Sequence, residues 1–252
     1  MKLTGIIGGT GMTRLDGLTI TRRQAVMTPY GAPSSELVQG TLHGIEWVFL
    51  ARHGDPHTIP PHRINYRANV WAMHHYGVDR LIAVAAVGGI SPEAAPGNIV
   101  VPDQLIDYTF DRVQTFHDGT ETPVTHIDFT HPYSSTVRHA LLTAARAAQV
   151  EVVDYGVYGC TQGPRLETRA EIRRLQQDGC TLVGMTGMPE AALARELDIP
   201  YACCAVVANW AAGLAGEAEI SMDEIHANLL TGMQRFQRVL QHLAYATETP
   251  AG

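Results

Sequence analysis

A chain of 252 residues that is 45% hydrophobic and 17% charged is long enough for one large α/β domain with a substantial core. Its 18 Lys and Arg against 25 Asp and Glu leave a formal net charge of -7, which excludes a broad basic surface for nucleic acid, so an anionic ligand needs a local positive site. There is neither a signal-peptide core nor a run of membrane-spanning length, and Cys160, Cys180, Cys203 and Cys204 lack paired metal spacing. A soluble, cytoplasmic protein with reduced core cysteines and no nucleic-acid or membrane partner is expected.

Residues 3–7 read as a short buried strand, and Gly8-Gly9-Thr10-Gly11 after it forms a turn whose amides can face an anion beside the Thr10 hydroxyl. The turn matches neither the dinucleotide fingerprint nor the Walker pattern. Residues 47–51 form another apolar strand that delivers Arg52-His53-Gly54 into a proline-rich loop, where a guanidinium fork beside an imidazole is a candidate anion clamp. His53, His57 and His62 are close in sequence. The prolines, however, deny them a shared helical face, and no carboxylate or thiol completes a zinc set, so no metal is expected.

Residues 65–76 have helical periodicity with Gly77 at the C-terminal end, and 80–87 form a buried strand ending at Gly88-Gly89, where small Ala85 and Ala86 leave space for a ligand. Short strands follow at 99–101 and 105–108. The polar, aperiodic run 110–125 reads as a long surface loop able to reach a neighbouring subunit, with His126 at its boundary. After a helix at 137–148 and a strand at 152–160 comes a strand-to-helix turn, residues 161–168. There Gly163-Pro164 breaks both periods, Thr168 caps the next helix, and Gln162, Arg165 and Glu167 stand on the loop.

A strand at 181–184 leads to Met185-Thr186, and Pro189 opens a helix to 197, which makes Thr186 a candidate anion contact near a helix N-terminus. The last core strand, 201–208, ends at Asn209, whose amide both donates and accepts, as reading a purine edge requires. Ser221-Met222-Asp223-Glu224 has the capping-box pattern and opens a long helix to about 246, followed by a frayed tail. Strands and helices alternate without repeats, so the expected fold is a single-domain, three-layer α/β architecture over residues 1–252, with a mixed central sheet flanked by helices.

Taken in order, Ala51-Arg52-His53-Gly54, Asn65-Tyr66, Gly163-Pro164-Arg165 and Met185-Thr186 followed by Pro189-Glu190 resemble the trimeric purine nucleoside phosphorylases of the group that includes methylthioadenosine phosphorylase. The likeness runs from about Ile6 to beyond Ile225. It implies a homotrimer and phosphorolysis, in which inorganic phosphate, a co-substrate with no cofactor beside it, attacks the anomeric carbon of a purine nucleoside and frees the base. It assigns phosphate to Thr10, Arg52, His53, the backbone at Ala86 and the Thr186 hydroxyl, the ribose to Met185, and the base pocket to Gly88 and Leu166. His126 matches a residue lent across the trimer interface to the 5′ group.

Substrate choice follows from the same resemblance. Adenine-specific members carry aspartate where this chain has Asn209 and a second acid where it has Ala211, whereas 6-oxopurine members have asparagine and a glutamate matching Glu167. Glu167 can then accept from the ring N–H of hypoxanthine while Asn209 donates to the oxygen or the neighbouring ring nitrogen as charge builds, which makes these two the catalytic pair. Where oxopurine enzymes hold the 5′ hydroxyl with a histidine, this chain has Met222, with Ile225 one turn on; both are apolar, as in methylthio-specific members. Together these features point to S-methyl-5′-thioinosine as substrate. A general inosine/guanosine phosphorylase, a methylthioadenosine enzyme and a non-catalytic purine-binding protein stay open as alternatives, and the first turn argues against a dinucleotide-dependent oxidoreductase. Two positions depart from the pattern: Leu166 replaces a phenylalanine that packs on the base, and Ala85 lacks a polar side chain.

Overall fold

A computed structural model describes residues 3–12, 15–120, 122–216 and 219–243. In chain order the elements are β1 Thr4–Gly8, β2 Thr19–Gln24, β3 Leu37–Leu42, β4 Ile45–Ala51, α1 Tyr66–His75, β5 Arg80–Gly89, β6 Ile99–Val100, β7 Gln104–Asp107, α2 Ser135–Ala147, β8 Val157–Cys160, α3 Arg169–Gln177, β9 Leu182–Gly184, α4 Glu190–Glu196, β10 Tyr201–Trp210 and α5 Met222–Leu243. The expected end of the last helix near 246 and the tail after it lie outside the described residues.

The strands form one mixed sheet in the order β2-β3-β4-β1-β5-β9-β8-β7, with β10 on β5 and β6 on β10. Period-two alternation sends successive side chains to opposite faces and so builds two cores. Ile7, Leu50, Ala83 and Cys203 meet Val70 and Met73 of α1 and Leu193 of α4 on one face. Ile6, Phe49, Ile82 and Cys204 meet Leu141 of α2 and Leu229 and Phe236 of α5 on the other. This is the expected three-layer α/β arrangement, and all four cysteines are buried and free within it.

Several elements differ from the sequence reading. The hairpin β2–β3 at the sheet edge is absent from it because β2, Thr-Ile-Thr-Arg-Arg-Gln, is exposed nearly throughout and shows no apolar alternation. The strand expected from 152 begins only at Val157; before it there is a lone bridge between Val153 and Val100. β10 runs on to Trp210, so Asn209 sits within the strand, opposite Gly88 and next to a bulge, rather than in a turn after it. The described residues of loop 110–125 are irregular as expected, yet the loop is anchored inward: Phe116 is buried, and Thr115 Oγ1 and Phe116 N donate to the Glu196 carboxylate at 2.6 and 2.7 Å.

The register of β5 positions the site. β10 pairs with β5 along one side from Leu81 to Gly89. On the other side β1 pairs as far as Ala83 and β9 takes over only at Gly88. Among the described residues, 84–87 therefore have no strand neighbour on that side, and a crevice opens where strands diverge, as is usual for ligand sites in α/β sheets.

Candidate active site

The crevice holds a cavity that is partly open to solvent. Its walls include Thr10, Arg52, His53, Ala86, Gly88, Leu166, Glu167, Met185, Thr186, Asn209 and Ile225, so every predicted site residue except Met222 and His126 is brought to one place.

At one end the Gly8-Gly9 turn crosses the β5 gap. A Cβ on Gly9 would lie 2.5 Å from the Val84 carbonyl and 2.8 Å from Arg52 Nη1, so only glycine lets this turn rest on the guanidinium. Arg52 is less free than an anion clamp should be. It donates to Glu190 Oε2 (2.7 Å) and Oε1 (2.9 Å), to the Val84 carbonyl (2.9 Å) and to the Ile7 carbonyl (3.3 Å), which leaves a single Nη1 hydrogen uncommitted. Burial by itself disfavours the charged guanidinium, but the Glu190 carboxylate more than offsets this and holds its pKa above the usual arginine value.

His53 Nδ1 lies 2.7 Å from the Ile59 carbonyl, an acceptor only, so that nitrogen carries the proton. Burial, then the neighbouring Arg52 charge, pushes the imidazole pKa down to about 4 against the opposing pull of the Ile59 bond. The ring is neutral near pH 7, and Nε2 is a lone-pair acceptor suited to a phosphate hydroxyl. His57 stacks on it, ring centroids 4.3 Å apart. Among the described residues no three of His, Cys, Asp or Glu group in a way that could hold a metal. Thr186 is buried, but α4 starts only after its N-cap Pro189, so Thr186 does not stand at a helix terminus as expected; its amide donates to the Tyr158 hydroxyl at 3.4 Å.

The other end is built by the turn after β8. Thr161 Oγ1 donates to Glu167 Oε1 at 2.6 Å and orients that carboxylate. Gly163 has φ +63°, and a Cβ there would meet Met185 Sδ at 2.4 Å, so glycine both permits the turn and lets Met185 pack beneath it. The Thr168 capping box, completed by Glu171, fixes where α3 begins, and Arg165 pairs with the same Glu171 at 2.7 Å outside the cavity. Asn209 Nδ2 donates to the Trp210 carbonyl at 2.7 Å. Ala211 lines the wall nearby, and Leu166, 45% exposed, supplies an aliphatic edge to it.

At the remaining side Ile220, Ile225 and Leu229 make an apolar wall, held beside β10 by Asn228 Nδ2 donating to the Ala208 carbonyl at 2.8 Å. Met222 corrects the sequence reading: it opens α5 but is 58% exposed and does not line the cavity. At 100° per residue Met222, Ile225 and Leu229 share one helical face, but Met222 is the first residue of α5 and the cavity wall takes in only the two further along. Sequence spacing therefore identifies Leu229, at i+4 from Ile225, as the missed partner. His126 is exposed and lies outside its own chain's cavity. Ile220 lies just before the helix, where periodicity carries no signal.

Residues 4–244 match the family described as the Phosphorylase superfamily. A protein of Pseudomonas syringae pv. tomato named "Probable S-methyl-5'-thioinosine phosphorylase" is 52% identical over 98% of this chain and 100% of its own length. The "6-oxopurine nucleoside phosphorylase" of Pyrococcus furiosus is 48% identical over 86% of this chain and 83% of its own. Among solved structures, methylthioadenosine phosphorylase from Schistosoma mansoni in complex with adenine superposes with a TM-score of 0.94 at 30% identity, covering 99% of this chain and 93% of that one. The chain thus belongs to the Phosphorylase superfamily and is a pentosyltransferase of the purine nucleoside phosphorylase type.

Proposed function

We propose that the enzyme cleaves S-methyl-5′-thioinosine with inorganic phosphate to hypoxanthine and 5-methylthioribose 1-phosphate, a step of purine and methylthio salvage. The observation that carries this is one cavity with Glu167 and Asn209 at its base end and Ile220, Ile225 and Leu229 on another wall. A phosphate oxygen attacks the anomeric carbon as the bond to the purine nitrogen breaks, and the bonding pair leaves with the base. Positive charge builds on the sugar beside the phosphate while negative charge builds on the purine, where Asn209 donates and Glu167 accepts from the ring N–H. Adenine lacks that N–H and would leave a buried acceptor unpaired, the strong form of discrimination in such sites. A methylthio group buries its surface on the apolar wall, at about 0.8 kcal/mol per CH₂ equivalent.

Phosphate is the co-substrate in this reading, and no cofactor enters. The Gly8–Gly11 turn, Thr10, the backbone at Ala86, the last Nη1 hydrogen of Arg52, His53 Nε2 and Thr186 hold it. The oligomer is a homotrimer in which His126 reaches a neighbour's 5′ site; its exposure, together with exposed Phe110, Val113 and Val124 on the adjoining loop, supports this. Four buried free thiols support a cytoplasmic location.

Base release from methylthioinosine, inosine and methylthioadenosine, each with and without phosphate, tests the reading. Phosphate-dependent release with methylthioinosine preferred is expected. Phosphate-independent release would mean a nucleosidase, and tight purine binding without turnover a binding protein. A preference for inosine would move the assignment to a general 6-oxopurine phosphorylase, the second reading, which the same Glu167–Asn209 pair supports. Light scattering measures the trimer.

A further inference from the structure

Arg112 lies outside the cavity, on loop 110–125, yet its guanidinium joins the two turns that carry the ligand groups. Nε donates to Gln162 Oε1 at 3.0 Å, and Nη2 to the carbonyls of Thr161 (3.2 Å) and Gln162 (2.9 Å). Nη1 donates to the carbonyls of Met185 (2.9 Å) and Met188 (2.5 Å) and to the Tyr66 hydroxyl (3.2 Å). The first set belongs to the turn that ends in Glu167, where Thr161 itself holds the carboxylate. The second set brackets Thr186. All these acceptors are neutral, so the cation is held by dipoles, and its planar fork is what reaches both turns at once.

We propose that Arg112 is a positioning residue that couples the base end of the cavity to the phosphate end. The inference rests on the phosphorylase reading. Seating a purine on Glu167 sets the Thr161 and Gln162 carbonyls; the rigid fork passes that setting to Met185 and Met188, and so to Thr186 between them. An anion on Thr186 acts back along the same path. Linkage requires the two ligands to tighten each other by one common factor.

Calorimetric titration of the full chain with inorganic phosphate and with hypoxanthine, each alone and each with the other saturating, reads that factor directly. The wild type is expected to show about tenfold mutual tightening, within the roughly 5–150-fold span of typical coupling. Arg112→Met should bring the factor to near unity while leaving the single-ligand affinities far less changed, which a general loss of structure would not do. Arg112→Lys keeps the charge but offers a point donor in place of a fork, so it too should lose most of the coupling, and it carries the test if the methionine variant does not fold. Independent binding in the wild type, or full coupling in either variant, overturns the proposal. Failure of the wild type to bind either ligand overturns the phosphorylase reading as well.

Discussion

Arg52 and Glu190 form a bidentate ion pair beneath the cavity, with side chains 1% and 0% exposed and Tyr201 OH donating to the same carboxylate at 3.0 Å. The charge that the Arg-His motif advertises is thus largely answered inside the protein. In the proposed site phosphate would meet amides, hydroxyls and one remaining N–H over a compensated cation, so an empty site would not strand a bare guanidinium.

Removing one member of a buried pair leaves the other uncompensated, so Glu190→Ala should lose about 3–5 kcal/mol of stability. Urea unfolding measures this, and a loss well under that range would mean that water reaches Arg52.

Asn209→Asp replaces the amide donor with a carboxylate set against the Trp210 carbonyl. The kcat/KM for oxopurine nucleosides should fall by about 10²–10³-fold, the usual cost of one transition-state donor, and the relative rate with adenine nucleosides should rise. Unchanged relative rates would remove Asn209 from the base-reading role.

Ile225→His and Met222→His separate the two 5′ assignments. Ile225 lines the cavity, so a histidine there should shift preference from methylthioinosine toward inosine by on the order of tenfold or more. Met222 faces solvent, and the same change there should leave the ratio of kcat/KM values near the wild-type one. Equal shifts in both variants would restore Met222 to the site.

His53 makes stability depend on pH. Its pKa falls from 6.5 to about 4 on folding, so between those values the unfolded chain binds more protons than the folded one. Stability should therefore drop as pH falls through that window and level off below it, with no contribution from this group above it. Unfolding midpoints of wild type and His53→Gln compared from pH 7 to pH 4.5 isolate the effect: the variant should show the shallower loss, and parallel curves would refute the depressed value.

Local features were legible without coordinates. Apolar runs marked the core strands, Thr168 and Pro189 marked helix starts, and Gly8-Gly9 and Gly163-Pro164 marked turns, because each depends on neighbours a few residues away. The resemblance to nucleoside phosphorylases rested on short motifs taken in order, Ala51-Arg52-His53-Gly54, Asn65-Tyr66, Gly163-Pro164-Arg165 and Met185-Thr186, and it named the residues that line one cavity, Met222 and His126 apart. Long-range partners were not legible. Glu190 lies 138 residues from Arg52, and Arg112 reaches acceptors 46 to 76 residues away, so neither could be found by period or spacing. Sequence determined which segments form strands, helices and glycine turns. Only tertiary structure decided which charges cancel, which residues along α5 meet the cavity and which loop residue joins the turns after β8 and β9, since these are settled by packing between distant segments.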